Sequence, residues 1–211
     1  MMKTILWNVD TQYDFMNPDG KLSISNAMSI TKNLEKLTNF ARENKYQIVN
    51  TADWHNKYSK ELSKKPDYRM TFPEHCMAET SGAEFIDETK PINPYVVDWQ
   101  NQNWQYSDCK IRTSQEIVIY KDFFNIFEGN RFTKQVLDAL NPNRIIIYGV
   151  ASDVCVDQAI KGLRAMNKEV YVPVDAIKEL DPNGLEELLN KWLFHGVKLT
   201  KTEDIMKYLS W

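Results

Sequence analysis

The chain has 211 residues, 43% of them hydrophobic and 26% charged, with a formal net charge of −3, which suits one globular domain with a sizeable core. There is no basic block and no apolar run near the ~20 residues that span a bilayer, so neither nucleic acid nor membrane is expected as a partner. The three cysteines, Cys76, Cys109 and Cys155, are an odd count without paired spacing, which argues against a disulfide framework and predicts at least one free thiol.

Thr4–Val9 reads as a first strand and runs into the polar and aromatic cluster Asp10-Thr-Gln-Tyr-Asp-Phe15, then the turn Asn17-Pro-Asp-Gly20. Asn8 and Asp10 come too early for a signal-peptide core, so the cytoplasm is the expected compartment. Ser25 or Asn26 is placed to cap a helix reaching about Asn44, with Ala27, Ile30, Leu34, Leu37 and Ala41 as its inner stripe. Tyr46–Asn50 is a second strand, followed by Asp53-Trp-His55. Residues 56–110 read as an irregular insertion punctuated by Pro66, Pro73, Pro91 and Pro94, with a short helix near Gly82–Glu88. Its aromatics Tyr95, Trp99, Trp104 and Tyr106 suit a pocket roof, a subunit contact or plain local packing.

Glu116–Tyr120 is a third strand, ending at Lys121, and Phe132–Leu140 a short helix. Ile145–Tyr148 is a buried β-branched strand, followed by a turn over Gly149–Ser152. The next helix is capped by Ser152 or Asp153 and carries Val156, Ala159, Ile160, Leu163 and Met166 on one side. Glu169–Val174 is a strand, Asp181-Pro182 opens a helix that Gly196 stops, and Val197–Thr200 is a last strand before a short helix. The alternation predicts one α/β domain over residues 1–211 with a mainly parallel sheet of about six strands.

Parallel sheets place ligands at the carboxyl ends of their strands. Asp10, Asp53 with His55, Lys121 and Cys155 follow four different strands. Cys155 falls in the first turn of a helix, where free amides and the dipole favour thiolate and can hold an oxyanion. The same placement also suits a buried structural cysteine, and surface carboxylates and lysines are usually just solvated. No GxGxxG follows the first strand, which disfavours a dinucleotide binder.

Five blocks in this order resemble the isochorismatase-like cysteine hydrolases, and the nicotinamidases among them most. They are Asp10-Thr-Gln12-Tyr-Asp14-Phe15, Asp53-Trp-His55, Phe72-Pro-Glu-His75-Cys76, Lys121 and Gly149-Val-Ala-Ser-Asp-Val-Cys155-Val. The resemblance implies a Rossmann-like three-layer sandwich on a six-stranded, mainly parallel sheet. It implies Cys155 as nucleophile, Asp10 as general base, Lys121 as their electrostatic partner, and the amides of Ala151 and Cys155 as oxyanion hole. It implies a cis Val150–Ala151 peptide. It also implies Asp53, His55 and His75 as ligands of a divalent metal, Zn²⁺ first, with Fe²⁺ and Mn²⁺ also suited. A fourth ligand varies among nicotinamidases; Glu61 is the only nearby Glu and is left out of the set. Phe15 and Phe72 match aromatic positions that sandwich a pyridine ring. The segment Lys121–Asn130 and the aromatic residues near 95–106 depart from the family pattern, and both are taken to border the site.

These residues predict a hydrolase of linear amides acting on a small-molecule substrate, nicotinamide first, through a thioester. The alternatives are another small amide or carbamoyl compound, as in N-carbamoylsarcosine amidase relatives, or a non-catalytic metal-binding or thiol-sensing module. The resemblance is also compatible with a homo-oligomer.

Overall fold

A computed structural model describes residues 2–101 and 105–209. Trp104 therefore lies outside the described residues. The six expected strands are present as β1 (Thr4–Val9), β2 (Gln47–Asp53), β4 (Glu116–Lys121), β5 (Arg144–Val150), β6 (Glu169–Pro173) and β8 (Lys198–Thr200). Two short ones were not expected: β3 (Tyr95–Val97), inside the stretch read as irregular, and β7 (Ile177–Lys178). The eight form one sheet in the order β3-β4-β2-β1-β5-β6-β8, with β7 beside the end of β5, and every pairing is parallel.

The sheet is covered on both faces because its central strands are apolar on both sides. Ile5, Trp7 and Val9 of β1 join Ile145 and Ile147 of β5 in one core. That core is completed by α3 (Asp108–Thr113), α4 (Ile126–Gly129), α5 (Thr133–Leu140), α6 (Asp157–Ala165) and α7 (Leu185–Phe194). Leu6, Ile48, Ile146 and Tyr148 point the other way, into a second core with α1 (Tyr13–Met16), α2 (Thr31–Glu43) and α8 (Thr202–Leu209). The result is the three-layer arrangement expected. Among the described residues, no helix is long and apolar enough to cross a membrane.

The helix boundaries differ from the expectation at the caps. Ala27–Ile30 is a 3-10 turn leading into α2, and Asn26 takes a left-handed φ of 59° with no side-chain cap. Its carbonyl serves instead, accepting from Ser29 N at 3.1 Å and Ser29 Oγ at 2.8 Å. The helix expected near Gly82–Glu88 is only a 3-10 turn, Ser81–Ala83. Asp181 does cap the turn Pro182–Gly184 that opens α7, accepting from Asn183 N at 3.0 Å.

Ala27, Ile30, Leu34, Leu37 and Ala41, the expected stripe, are all buried against the sheet. Leu37→Ala is expected to cost about 2–5 kcal/mol in urea unfolding. A loss under about 1 kcal/mol would mean that the α2 face has room to collapse or is not packed as described.

Candidate active site

The sheet register brings four strand ends side by side. Lys121 lies opposite Asp53 across β4 and β2, Thr51 opposite Val9 across β2 and β1, and Gly149 opposite Val9 across β1 and β5. Gly149 has φ +116°, and a Cβ there would sit 2.1 Å from the Val9 carbonyl oxygen, so the close approach of β5 to β1 requires glycine. The next peptide, Val150–Ala151, is cis.

Lys121 is the hub. Its ammonium, buried in the protein, lies 3.0 Å from Asp10 Oδ2, donates to Asp53 Oδ1, and reaches Cys155 Sγ at 3.8 Å. Asp10, at φ 48°, is held by Thr51, whose carbonyl accepts from Asp10 N at 3.1 Å and whose hydroxyl donates to Asp10 Oδ1 at 2.7 Å. Burial pulls the Lys121 pKa down, but Asp10, Asp53 and Cys155 outweigh it and hold the ammonium charged well beyond its usual range. Burial raises Asp10 against the pull of Lys121.

Cys155 departs from the sequence expectation in two ways. It lies in a π-helical turn, Ser152–Val156, that runs into α6, and neither Ser152 nor Asp153 caps it. Ala151 supplies a carbonyl to Val154 N at 3.1 Å and Val156 N at 3.0 Å, while Asp153 accepts from Leu180 N and Asp181 N, both at 2.8 Å. Burial also pushes the thiol pKa well above its ordinary value, with Lys121 pulling the other way. Burial thus works against the thiolate that the helix-end amides and Lys121 favour.

Beside this cluster, Asp53, His55, Glu61 and His75 bring one ligand atom each to within 4.8 Å of one another, all buried. His75 Nε2 is 3.5 Å from Asp53 Oδ2 and 3.5 Å from Glu61 Oε1; His55 Nε2 is 3.9 Å from each. Two atoms bound to one tetrahedral ion at about 2.1 Å stand about 3.4 Å apart. Asp53 Oδ2, His55 Nε2 and His75 Nε2 have no hydrogen-bond partner among the described residues, an arrangement too costly to bury unless something else binds them. His75 Nδ1 faces the Pro73 carbonyl at 2.7 Å, which assigns the proton to Nδ1 and leaves the Nε2 lone pair toward the cluster. Burial pulls His75 down, yet the Asp53 and Glu61 carboxylates 3.5 Å from its Nε2 overcome that and push it up to about 10. The carboxylates thus call for a positive charge at this point. Burial takes His55 down to about 4, which keeps its imidazole neutral and fit to ligate. Burial works against ionised Asp53, but Lys121 and the two imidazoles hold its carboxyl well below the usual carboxylate range. The residues present therefore fit a divalent metal, and Glu61 could complete the set.

Both clusters open on one small pocket. Asp53, Glu61, His75, Ala151 and Cys155 supply its polar end, and Phe15, Leu22, Ile24, Phe72, Phe124, Val154 and Leu180 its apolar walls. Phe15 lies 5.2 Å from the His75 ring, and Phe72 meets Phe124 edge-on at 6.2 Å. Asp10, His55 and Lys121 stand behind this surface, so all nine expected site residues converge. Residues 95–106 do not border it among the described residues, contrary to expectation: Trp99 Nε1 donates to the Trp54 carbonyl at 2.8 Å, and Tyr106 bonds Asp108. The segment after Lys121 does reach the pocket, through Phe124. Glu61, Phe124, Gln12 and Asp14 were not identified as site residues. Glu61 was considered only as an unassigned fourth ligand, Phe124 lies in the segment after Lys121 taken to border the site, and Gln12 and Asp14 lie in the block after β1.

The isochorismatase domain family model matches residues 103–204, the part that carries Lys121 and Cys155. A nicotinamidase of Saccharomyces cerevisiae is 22% identical over 222 residues, covering 94% of this chain and 99% of that protein. An isochorismatase family protein from Desulfovibrio vulgaris superposes with a TM-score of 0.79 at 18% identity, covering 100% of both chains. A pyrazinamidase of Pyrococcus horikoshii, solved in complex with zinc, gives 0.72 at 25% identity over 94% of this chain and 99% of its own. The chain thus has the isochorismatase-like fold and resembles these hydrolases in sequence as well, and the likenesses support an amidohydrolase enzyme.

Equilibration with Zn²⁺ followed by desalting is expected to leave one ion per chain on the wild type and far less on a His55→Ala, His75→Ala double variant. Equal zinc in both, by elemental analysis, would show that the ion binds elsewhere.

Proposed function

We propose that this chain is a cysteine amidohydrolase that converts a small aromatic carboxamide, nicotinamide first, into the acid and ammonia. The observation that carries the reading is the buried ammonium of Lys121, shared by Asp10, Asp53 and Cys155 at the polar end of an otherwise apolar pocket.

In this reading Asp10 takes the Cys155 proton, and Lys121 stabilises the thiolate so formed. The sulfur attacks the carboxamide carbon, and the carbonyl π electrons move to oxygen. The amides of Ala151 and Cys155 receive that oxyanion, a contribution of roughly 3 kcal/mol per donor in comparable sites. Asp10 returns the proton to the departing nitrogen, the C–N bond breaks, and ammonia leaves a thioester. Asp10 then deprotonates water for attack on the thioester, the C–S bond breaks, and the thiol recovers its proton. The sum is amide plus water to acid plus ammonia. Burial of Cys155 and Asp10 supports this order, since a resting neutral thiol needs an adjacent base, and Asp10 is the carboxylate that shares Lys121 with it.

Asp53, His55, His75 and Glu61 would hold the metal, which when bound supplies a Lewis-acid contact for an electron-rich substrate atom such as a ring nitrogen. Phe15, Phe72 and Phe124 offer faces and edges to a flat ring and keep water from the sulfur. The zinc complex of the Pyrococcus pyrazinamidase and the Saccharomyces nicotinamidase support both the metal and the ring amide.

Ammonia release from nicotinamide by the purified protein is the test. Cys155→Ala and Asp10→Asn are each expected to lower kcat/KM on the order of 10³-fold or more. Chelation is expected to abolish turnover, with recovery on adding back Zn²⁺. Wild-type rates in Cys155→Ala would refute the thioester route, and an inert, metal-loaded wild type would remove nicotinamide as substrate.

A further inference from the structure

The reaction above uses Asp10 and Phe15 of the segment after β1 and gives no task to Gln12 and Asp14 between them, though both are buried. We propose that Gln12 and Asp14 are positioning residues that hold the two metal-delivering arms of the chain in binding geometry. The proposal rests on the metal site described above.

The first arm is the end of β2. The β1–β2 ladder stops at Val9 opposite Thr51, yet β2 runs on to Asp53. The edge of Asp53 facing β1 therefore has no strand beside it. The Gln12 carboxamide takes the place of a peptide group there: its Oε1 accepts from Asp53 N at 2.7 Å and its Nε2 donates to Asp53 O at 2.7 Å. The remaining amide hydrogen goes to the Ala83 carbonyl at 2.8 Å. On the opposite edge Asp53 pairs with Lys121, and Trp54 N donates to Lys121 O at 2.9 Å. Clamped on both edges, the Asp53 backbone fixes the direction of its carboxylate, which must meet Lys121 with one oxygen and the imidazoles with the other.

The second arm is the loop that carries His75. Asp14 Oδ2 accepts from Cys76 N at 2.7 Å, and Oδ1 accepts from Lys21 N at 3.1 Å. Asp14 thereby pins the peptide joining His75 to Cys76, where the chain turns through a left-handed φ of 41°. Cys76 O in turn accepts from His55 N at 3.0 Å, and His55 O from Ala78 N at 2.8 Å. Fixing Cys76 therefore places His75 directly and His55 through the main chain. Gly82 leaves room for this arrangement, since a Cβ there would lie 2.3 Å from Asp14 Oδ2. Gln12 and Asp14 thus tie both arms to one short segment, and each works through backbone that side chains of the cluster depend on. Residues that orient metal ligands in this way typically account for 10–100-fold in affinity.

The test measures Zn²⁺ and Co²⁺ affinity by competition with a chromophoric chelator, together with the Co²⁺ absorption spectrum, at a temperature where every variant is folded in EDTA. The variants are Gln12→Met, which keeps volume and removes three hydrogen bonds, and Asp14→Asn, which keeps the shape and one acceptor. Leu37→Ala, remote in α2, is the destabilised control. Affinity is expected to fall 10–100-fold in Gln12→Met and Asp14→Asn with an altered Co²⁺ spectrum. In Leu37→Ala it should stay within about two-fold despite a lower Tm. Should Gln12→Met not fold, Asp14→Asn reads the same quantity. Variant affinities and spectra equal to those of the control would overturn the proposal while leaving the metal site in place. A wild type that takes up neither ion would overturn the metal site itself, and this proposal with it.

Discussion

The site is organised by one charge. Lys121 carries a buried ammonium, and a buried charge is tolerated only when paired and hydrogen-bonded. Its partners come from three strand ends: Asp10 after β1, Asp53 at the end of β2, and Cys155 beyond β5. None is its neighbour in sequence, so the ammonium can be satisfied only when the parallel register is correct. A slip of one residue in β4 would turn Lys121 to the opposite face of the sheet and strand three anionic or acidic groups. This cluster and the fold are therefore specified by the same constraint.

The site also holds more buried carboxyl groups than ammonium groups. Asp10, Asp53 and Glu61 are three buried carboxyl groups, and Lys121 is the single buried lysine among them. The imbalance shows in the imidazoles. Carboxylate oxygens push His75 toward a cationic form, while its neighbour His55 is driven neutral by burial. A divalent cation between them would meet the same demand without a proton, and would account for three ligand atoms that otherwise have no partner. The sheet places this electronegative cluster beside the thiol rather than around it, which leaves the sulfur facing the apolar pocket.

What was legible in the sequence follows from the range of the signal. The six long strands and the stripe Ala27, Ile30, Leu34, Leu37 and Ala41 are periodic, and periodicity is a local record of burial. The strand-end residues were legible because the topology of a parallel sheet converts sequence position into place. The two short strands carried no such pattern: β7 has two residues and β3 three, and each exists because a neighbouring strand offers an edge. The caps misled because Asn26 and Asp153 act through partners that propensity does not encode, in the second case the amides of Leu180 and Asp181, 27 and 28 residues away. Glu61 was ambiguous for the same reason. It sits among Lys57, Lys60, Lys64 and Lys65 in a stretch that reads as solvated. Only the pairing of Leu62 with Phe72, the residue before Pro73, folds that stretch back so that its acid points inward. The aromatic residues near 95–106 were read by composition alone, and among the described residues they pack at the sheet edge rather than over the site.

Asp53 shows why the two clusters cannot be treated as separate devices. One of its oxygens is taken by the Lys121 ammonium, and the other lies 3.5 Å from His75 Nε2. Its main chain is held on one edge by Gln12 and on the other by β4. Any cation bound at the second oxygen draws on the same carboxylate that neutralises Lys121, so metal occupancy and the field at Cys155 are linked through one residue. A change at Asp53 consequently perturbs both clusters at once. His55 and Glu61, which are not ion-paired to Lys121, are the residues through which the metal cluster can be altered with the ammonium left in place. This division follows from where the chain puts its strand ends: β2 is flanked by β1 and β4, so the carboxylate that ends it stands between Asp10 and Lys121.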